Sequence, residues 1–335
     1  SAPLINSSAN ASVDENTASA TAVYKVVGVD PEGTPLTYSL TGGADKGLFS
    51  INATTGDVTF LASPDYESPS DANRDRIYEV EVAASNGVST TKKTVSITVN
   101  NVDEAPSIIS ATTASFAENS STATAAYRVM AVDPEGRNIT YSLSGGADKA
   151  LFNIDAGTGA VRFNSSPDFE NRADSDGNNI YLIEVQASDG NMTTRQSVAI
   201  TVTNVNEAPV LPSSTKVVVN ANNMSASTPV YTATANDPDA GATVTYSIYG
   251  GADSVNFNIN SGTGVVTFKA APDYANPADA GANNVYDIVV SAYDGGILTK
   301  QSVSIIVTDR AVAAPVINSA TTFSVAENMG TNDTV

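Results

Sequence analysis

The chain repeats itself at an interval of about one hundred residues, and that limits what it can fold into. Glu104-Ala105-Pro106 returns as Glu207-Ala208-Pro209 after 103 residues, and Pro3 precedes Pro106 by the same interval. Asp30-Pro31-Glu32-Gly33 recurs as Asp133-Pro134-Glu135-Gly136 and again as Asp237-Pro238-Asp239. Gly42-Gly43-Ala44-Asp45 returns at 145–148 and at 250–253. Pro64-Asp65-Tyr66-Glu67 returns as Pro167-Asp168-Phe169-Glu170 and as Pro272-Asp273-Tyr274-Ala275. A period this long is a whole domain, not the coil of a solenoid, whose repeats run about 20–50 residues. The landmarks divide the 335 residues into three repeats, 1–103, 104–206 and 207–312, and the opening of a fourth at 313–335.

Inside each repeat the local signals are those of strands. Ala22 to Val29 is β-branched and aromatic-rich, and Leu36–Leu40, Tyr78–Val82 and Val95–Val99 alternate with period two. Phe49-Ser50-Ile51 and Val58-Thr59-Phe60 flank a polar segment ending in Gly56, the pattern of a hairpin. No apolar period of 3.6 residues is sustained for ten residues. Short strands separated by Gly, Pro and Asp turns predict an all-β chain of tandem Greek-key (immunoglobulin-like) β-sandwich repeats, with Tyr24, Tyr38, Tyr127, Tyr141 and Tyr246 as packing residues. The Gly42-Gly43 copies read as turns, since no phosphate-loop Lys-Ser/Thr follows.

Composition narrows the function. There is no His, Cys or Trp, which removes catalytic triads, cysteine nucleophiles and imidazole or thiolate metal sites. Against 36 Asp+Glu stand 16 Lys+Arg, a formal net charge of −20, which argues against nucleic acid and anionic membrane surfaces as partners. No apolar run approaches a membrane span, and no targeting signal is recognisable, so the chain reads as a piece of something longer, without membrane insertion. Asp65 and Glu67 resemble a glycosidase carboxylate pair only superficially. Their motif recurs in every repeat with no aromatic platform, so the expectation is that the chain is not an enzyme.

The acids lie between the strand patterns. Repeat one supplies Glu15, Asp65, Glu67, Asp103 and Glu104, and repeat two supplies Asp133, Glu135 and Asp189. Brought to one boundary these carboxylates would repel strongly unless a cation neutralised them. Ca²⁺, with six to eight oxygen ligands and tolerant geometry, suits such a set better than Mg²⁺. A second acidic loop, Asp71 to Asp75 with copies at 174–178 and 279–283, is expected to be solvated without an ion of its own.

These motifs resemble those of cadherin repeats: a Glu-Asn near the start, Asp-x-Glu in mid-repeat, an acidic linker ending in Ala-Pro, then Asp-x-Asp/Glu and Ala-x-Asp-Gly in the next repeat. The linkers Asn101–Pro106 and Asn204–Pro209 are similar to the shorter form in bacterial surface adhesins. The resemblance implies two calcium junctions. One uses Glu15, Asp65, Glu67, Asn101, Asp103, Glu104, Asp133, Glu135 and Asp189. The other uses Glu118, Asp168, Glu170, Asn204, Asn206, Glu207, Asp237, Asp239 and Asp294. Repeat three departs, with Ala221 and Ala275 where the others carry Glu and a neutral linker from Asp309 to Pro315, so its following junction is expected to bind poorly and act as a hinge. Repeat one carries Asn86 where the others have Asp189 and Asp294, and its Asp30 and Glu32 would serve an upstream neighbour. The apolar residues Val316, Ile317, Phe323 and Val325 of the tail are expected to need a docking surface.

The expected function is a calcium-stiffened, elongated rod segment of a surface adhesin, used for adhesion or for presenting a distal domain. Site affinities of about 10⁻⁴–10⁻³ M in extracellular modules favour the exterior or cell surface. Its partners are neighbouring repeats through Ca²⁺, and a cell-surface, polysaccharide or homophilic partner; a carbohydrate-binding or homophilic module is the alternative.

Overall fold

The computed structural model describes residues 1–222 and 224–309. They form strands throughout, with three short 3₁₀ turns, and among them no helix is long and apolar enough to cross a membrane. By internal contacts the chain divides into two units, one of residues 1–168 and 172–203, the other of residues 169–171 and those from 204 onward. The expected tail docking and the 310–315 part of the third linker lie outside the described residues.

The sheets follow the sequence period. In the first repeat a four-stranded sheet has the order Asn10–Asp14, Thr90–Asn100, Ile77–Ser85, Thr37–Gly42, and a three-stranded sheet has the order Ala22–Lys25, Asp57–Phe60, Phe49–Ile51. The second repeat repeats both, with Thr113–Ala117, Thr193–Thr203, Ile180–Ser188 and Thr140–Gly145 facing Tyr127–Arg128, Ala160–Phe163 and Phe152–Ile154. In the second unit the four strands are Lys216–Asn220, Leu298–Thr308, Val285–Tyr293 and Thr245–Gly250, and the three are Pro229–Thr232, Val265–Phe268 and Phe257–Ile259. Strand order that departs from chain order within two packed sheets, antiparallel except where Asn10–Asp14 and its copies join the last strand of each repeat in parallel, is the Greek-key sandwich the alternating patterns implied.

The Ala22–Val29 run is two strands, not one. Ala22–Lys25 belongs to the three-stranded sheet, while Gly28–Val29 pairs with Leu4–Ile5. The crossover falls at Val26, 1% exposed, whose N–H donates to the Gly56 carbonyl. Each core contains the same trio of packed rings. Phe49 and Phe60 lie 4.3 Å apart with Tyr78 edge-on to Phe60 at 5.1 Å, and the trio recurs as Phe152, Phe163, Tyr181 and as Phe257, Phe268, Tyr286. Such edge-to-face packing adds about 0.5–1.5 kcal/mol per pair beyond area burial.

The Gly-Gly-Ala-Asp motif does more than turn the chain. Gly43 sits at φ +96°, and a Cβ there would meet the Glu79 carbonyl oxygen at 2.3 Å, so no other residue fits. The close approach buries Asp45, which accepts the N–H groups of Ala72 (2.8 Å) and Glu79 (2.7 Å). Asp71 is buried in turn and accepts from Asp75 and Arg76. The second acidic loop is therefore not simply solvated: its leading acids, Asp71, Asp174 and Asp279, are buried and consumed by backbone amides. Sequence composition alone does not distinguish a turn acid facing water from one folded back under its own loop.

Asp45→Ala removes both bonds to a buried carboxylate and should cost about 2–3 kcal/mol. Denaturant unfolding in chelator checks this without contribution from any metal; an unchanged midpoint would refute the anchoring role.

Candidate metal centre

The parallel pairing of Asn10–Asp14 with Thr90–Asn100, the last strand of repeat one, builds the centre. Asp14 lies opposite Asn100, so the chain delivers Glu15 beside the start of the linker. The Glu15 N–H donates to the Asn100 carbonyl (3.0 Å), and Asn16 turns the chain at φ +58°, a left-handed conformation that Asn tolerates better than most residues. This gives the Glu-Asn pair a physical reason. Glu15 is 3% exposed, and its two oxygens accept from the backbone N–H groups of Tyr66 (2.7 Å) and Val102 (2.8 Å). It thereby clamps the Asp65–Glu67 loop to the linker.

Four glutamates converge there. Glu15, Glu67, Glu104 and Glu135 each offer a carboxylate oxygen, and the four oxygens lie within 4.8 Å of one another. Two come from repeat one, one from the linker and one from repeat two. Donors to them are few. Asn101 gives its amide to Glu67 Oε1 at 2.9 Å, and Asn16 gives its amide to Glu104. Glu67 Oε2 and both oxygens of Glu135 are buried without a hydrogen-bond partner. Burial, with the negative charges of Glu15 and Glu104 beside it, pushes the Glu67 carboxyl up to about 7.

The remaining members of this set surround the four. Asp133 accepts the Arg137 N–H through Oδ1 (3.0 Å), while its Oδ2 is buried and unpartnered. Asp189 accepts from Met192 (2.6 Å) and Asn191 (2.8 Å) through Oδ1; these amides, with the nearby Arg137 charge, hold its carboxyl below the usual range. Asp103 meets the Arg137 guanidinium and the Asn191 amide. Asp65 lies exposed outside the four, its Oδ1 capped by the Ser68 N–H at 2.7 Å. Asn101 enters through its bond to Glu67. Arg137 and Asn191 escaped the motif comparison, although Arg137 directly follows Asp133-Pro134-Glu135-Gly136, which was the available signal.

Of the second set, Glu118 and Asp168 belong to the first unit and the rest to the second. In the first unit Glu118 is 2% exposed and its N–H donates to Thr203 (3.0 Å), repeating Glu15, while Asp168 is exposed. In the second unit Asn204 donates to Glu170 (3.1 Å), Asn206 donates to Asp294 (3.0 Å), and Asp239 accepts the Glu207 N–H (2.7 Å). Asp237 turns the Asp-Pro-Asp segment, its Oδ1 accepting the Asp239 N–H at 3.0 Å. Repeat three keeps the backbone of the motif without its acid: the Ala221 N–H donates to Thr308 (2.8 Å), as Glu15 and Glu118 do to their partners. In repeat one the Asn86 amide donates to the buried Asp30 at 2.7 Å, a neutral group where the other repeats carry Asp.

Buried carboxylate oxygens that face one another without donors are the chemistry of a hard-cation site, since an unpaired buried charge is costly and oxygen-rich sites suit Ca²⁺. The residues of the first junction fit that ion. Glu15 stands apart, for its oxygens already serve the backbone and would both position the loop and contribute charge.

Residues 9–100 and 112–203, more than half of the chain, match the cadherin domain model. Over 285 residues the chain is 27% identical to cadherin-related family member 1a of Danio rerio, covering 78% of this chain and 31% of that protein. Over 300 residues it is 30% identical to protocadherin-like wing polarity protein stan of Drosophila melanogaster, covering 84% of this chain and 8% of that protein. The chain thus spans less than a third of either relative. Its fold is similar to that of mouse cadherin-23 EC22–24, with TM-score 0.55 and 22% identity over 92% of this chain and 99% of that one. Cadherin domains are adhesion modules, not enzymes, and they are generally calcium-binding. The chain belongs to the cadherin family.

Proposed function

We propose that the chain is a calcium-stiffened extracellular segment of an adhesion protein, serving adhesion directly or presenting a distal domain. The observation that carries this is the convergence of Glu15, Glu67, Glu104 and Glu135 from two repeats and their linker, with three buried carboxylate oxygens lacking donors. An ion held by these groups would tie Glu135 of repeat two to Glu15 and Glu67 of repeat one. Without it the same charges push the repeats apart, and the short linker flexes. The second set, from Glu118 through Asp294, is proposed to act likewise. The linker form Asn-Val-Asp/Asn-Glu-Ala-Pro supports a bacterial surface adhesin as the setting; the relatives above are animal proteins and bear on the domain. Calcium affinities of about 10⁻⁴–10⁻³ M in extracellular modules support the cell exterior.

Small-angle scattering with calcium and with chelator tests the stiffening, which predicts a longer and less flexible particle in calcium. Identical profiles would reject it. Glu135→Gln, which removes one charge from the four, should weaken calcium binding by at least about tenfold in calorimetry while leaving the chelated fold intact.

Proton competition gives an independent check. Glu67 is neutral below about pH 7 in the chelated protein, and calcium requires it ionised. Apparent affinity should therefore fall by up to about tenfold per pH unit below 7, with proton release on binding. The sign for folding is the reverse of the usual acid case. Because the folded carboxyl titrates above the unfolded one, this group's contribution to stability in chelator declines as pH rises through the interval up to about 7, then stays level. Calcium binding that is independent of pH between 5.5 and 8 would contradict the assignment of Glu67.

A further inference from the structure

We infer that Arg137 is a protein-borne counter-cation at the first junction, joining Asp103 to Asp189 in a position a divalent ion would otherwise take. The inference rests on the proposal that the junction binds calcium, and it alters how much calcium that junction takes. The Arg137 guanidinium pairs with Asp103 of the linker, and its Nη1 lies 3.6 Å from Asp189 Oδ2. The Asp189 side chain is fully buried, and its Oδ2 accepts no hydrogen bond, so the guanidinium is its available source of positive charge. Arginine suits this place because it stays charged and its planar fork can serve two carboxylates.

The other repeats balance the same position by different means. In the second unit the linker carries Asn206 in place of Asp103, and its amide donates directly to Asp294 Oδ2 at 3.0 Å. The corresponding turn, from Asp237 to Thr243, contains no basic residue. In repeat one the acid itself is replaced, and Asn86 gives its amide to Asp30 at 2.7 Å. Where the linker has an acid the turn supplies an arginine, and where the linker has an amide the turn supplies no basic residue. In both cases the trio carries one net negative charge. This matched exchange within one chain argues that Arg137 offsets Asp103 and is not an incidental surface residue.

Two consequences follow from electrostatics. The first junction loads fewer ions than its acids alone suggest, because Asp103 and Asp189 are already partly neutralised. Its linker also stays docked to repeat two when calcium is scarce, since Arg137 and Asn191 both hold Asp103.

The test uses the full chain, its Arg137→Gln variant and a charge control, Lys92→Gln, which removes an equal charge from an exposed pair with Glu81 outside both ligand sets. Calcium calorimetry should show one more ion bound by R137Q than by the parent or by K92Q. Hydrogen exchange in chelator should show the 103–106 linker of R137Q exchanging severalfold faster, with K92Q unchanged. Equal, non-zero stoichiometry in R137Q and the parent, or equal linker exchange in chelator, would overturn the inference. If no chain binds calcium, the calcium proposal fails on its own, and the linker exchange in chelator still decides whether Arg137 holds Asp103.

Discussion

A buried carboxylate must find donors or a cation, and this requirement organises each end of these sandwiches. Removing an ionised acid from water is costly unless hydrogen bonds or opposite charge replace its hydration. The chain meets the requirement in graded ways. Asp45 and Asp71 are satisfied by backbone amides and so become internal braces for their loops. Glu15 is satisfied likewise and braces the linker. Glu67 and Glu135 retain buried oxygens with no protein donor, and on these the calcium proposal rests.

That gradation separates scaffold from site within one class of residue. Acids spent on the backbone hold the geometry whether or not metal is present. Acids left unsatisfied are the ones through which the proposed calcium would act, since their mutual repulsion would be neutralised by a bound cation. Glu15 is spent on the backbone yet still brings its charge to the four. Its substitution would disturb the loop as well as the charge, so Glu135 and Glu67 are the cleaner positions for separating binding from folding.

Much of the fold was legible because its signals are local. The period-two alternation of Tyr78–Val82 and Val95–Val99 placed two central strands, and the ordered landmarks set the length of each repeat. The break at Val26 was not legible, since Ala22–Val29 has uniform strand character and only packing tells which residue turns inward. The burial of Asp71 was likewise invisible, because the same turn chemistry serves an exposed acid and one folded beneath its loop.

The sequence by itself determined the repeat, the sandwich class, the exclusion of nucleophile and imidazole chemistry, and the acidic motifs that recur with the repeat. Those follow from residue type, spacing and local propensity. Only the tertiary structure decided which acids are already paired and which are left over, because the N–H of Val102 or Tyr66 reaches Glu15 through sheet register, not through neighbourhood in the chain. It also decided the place of Arg137, which in the sequence is one of 16 basic residues and in the fold stands between Asp103 and Asp189.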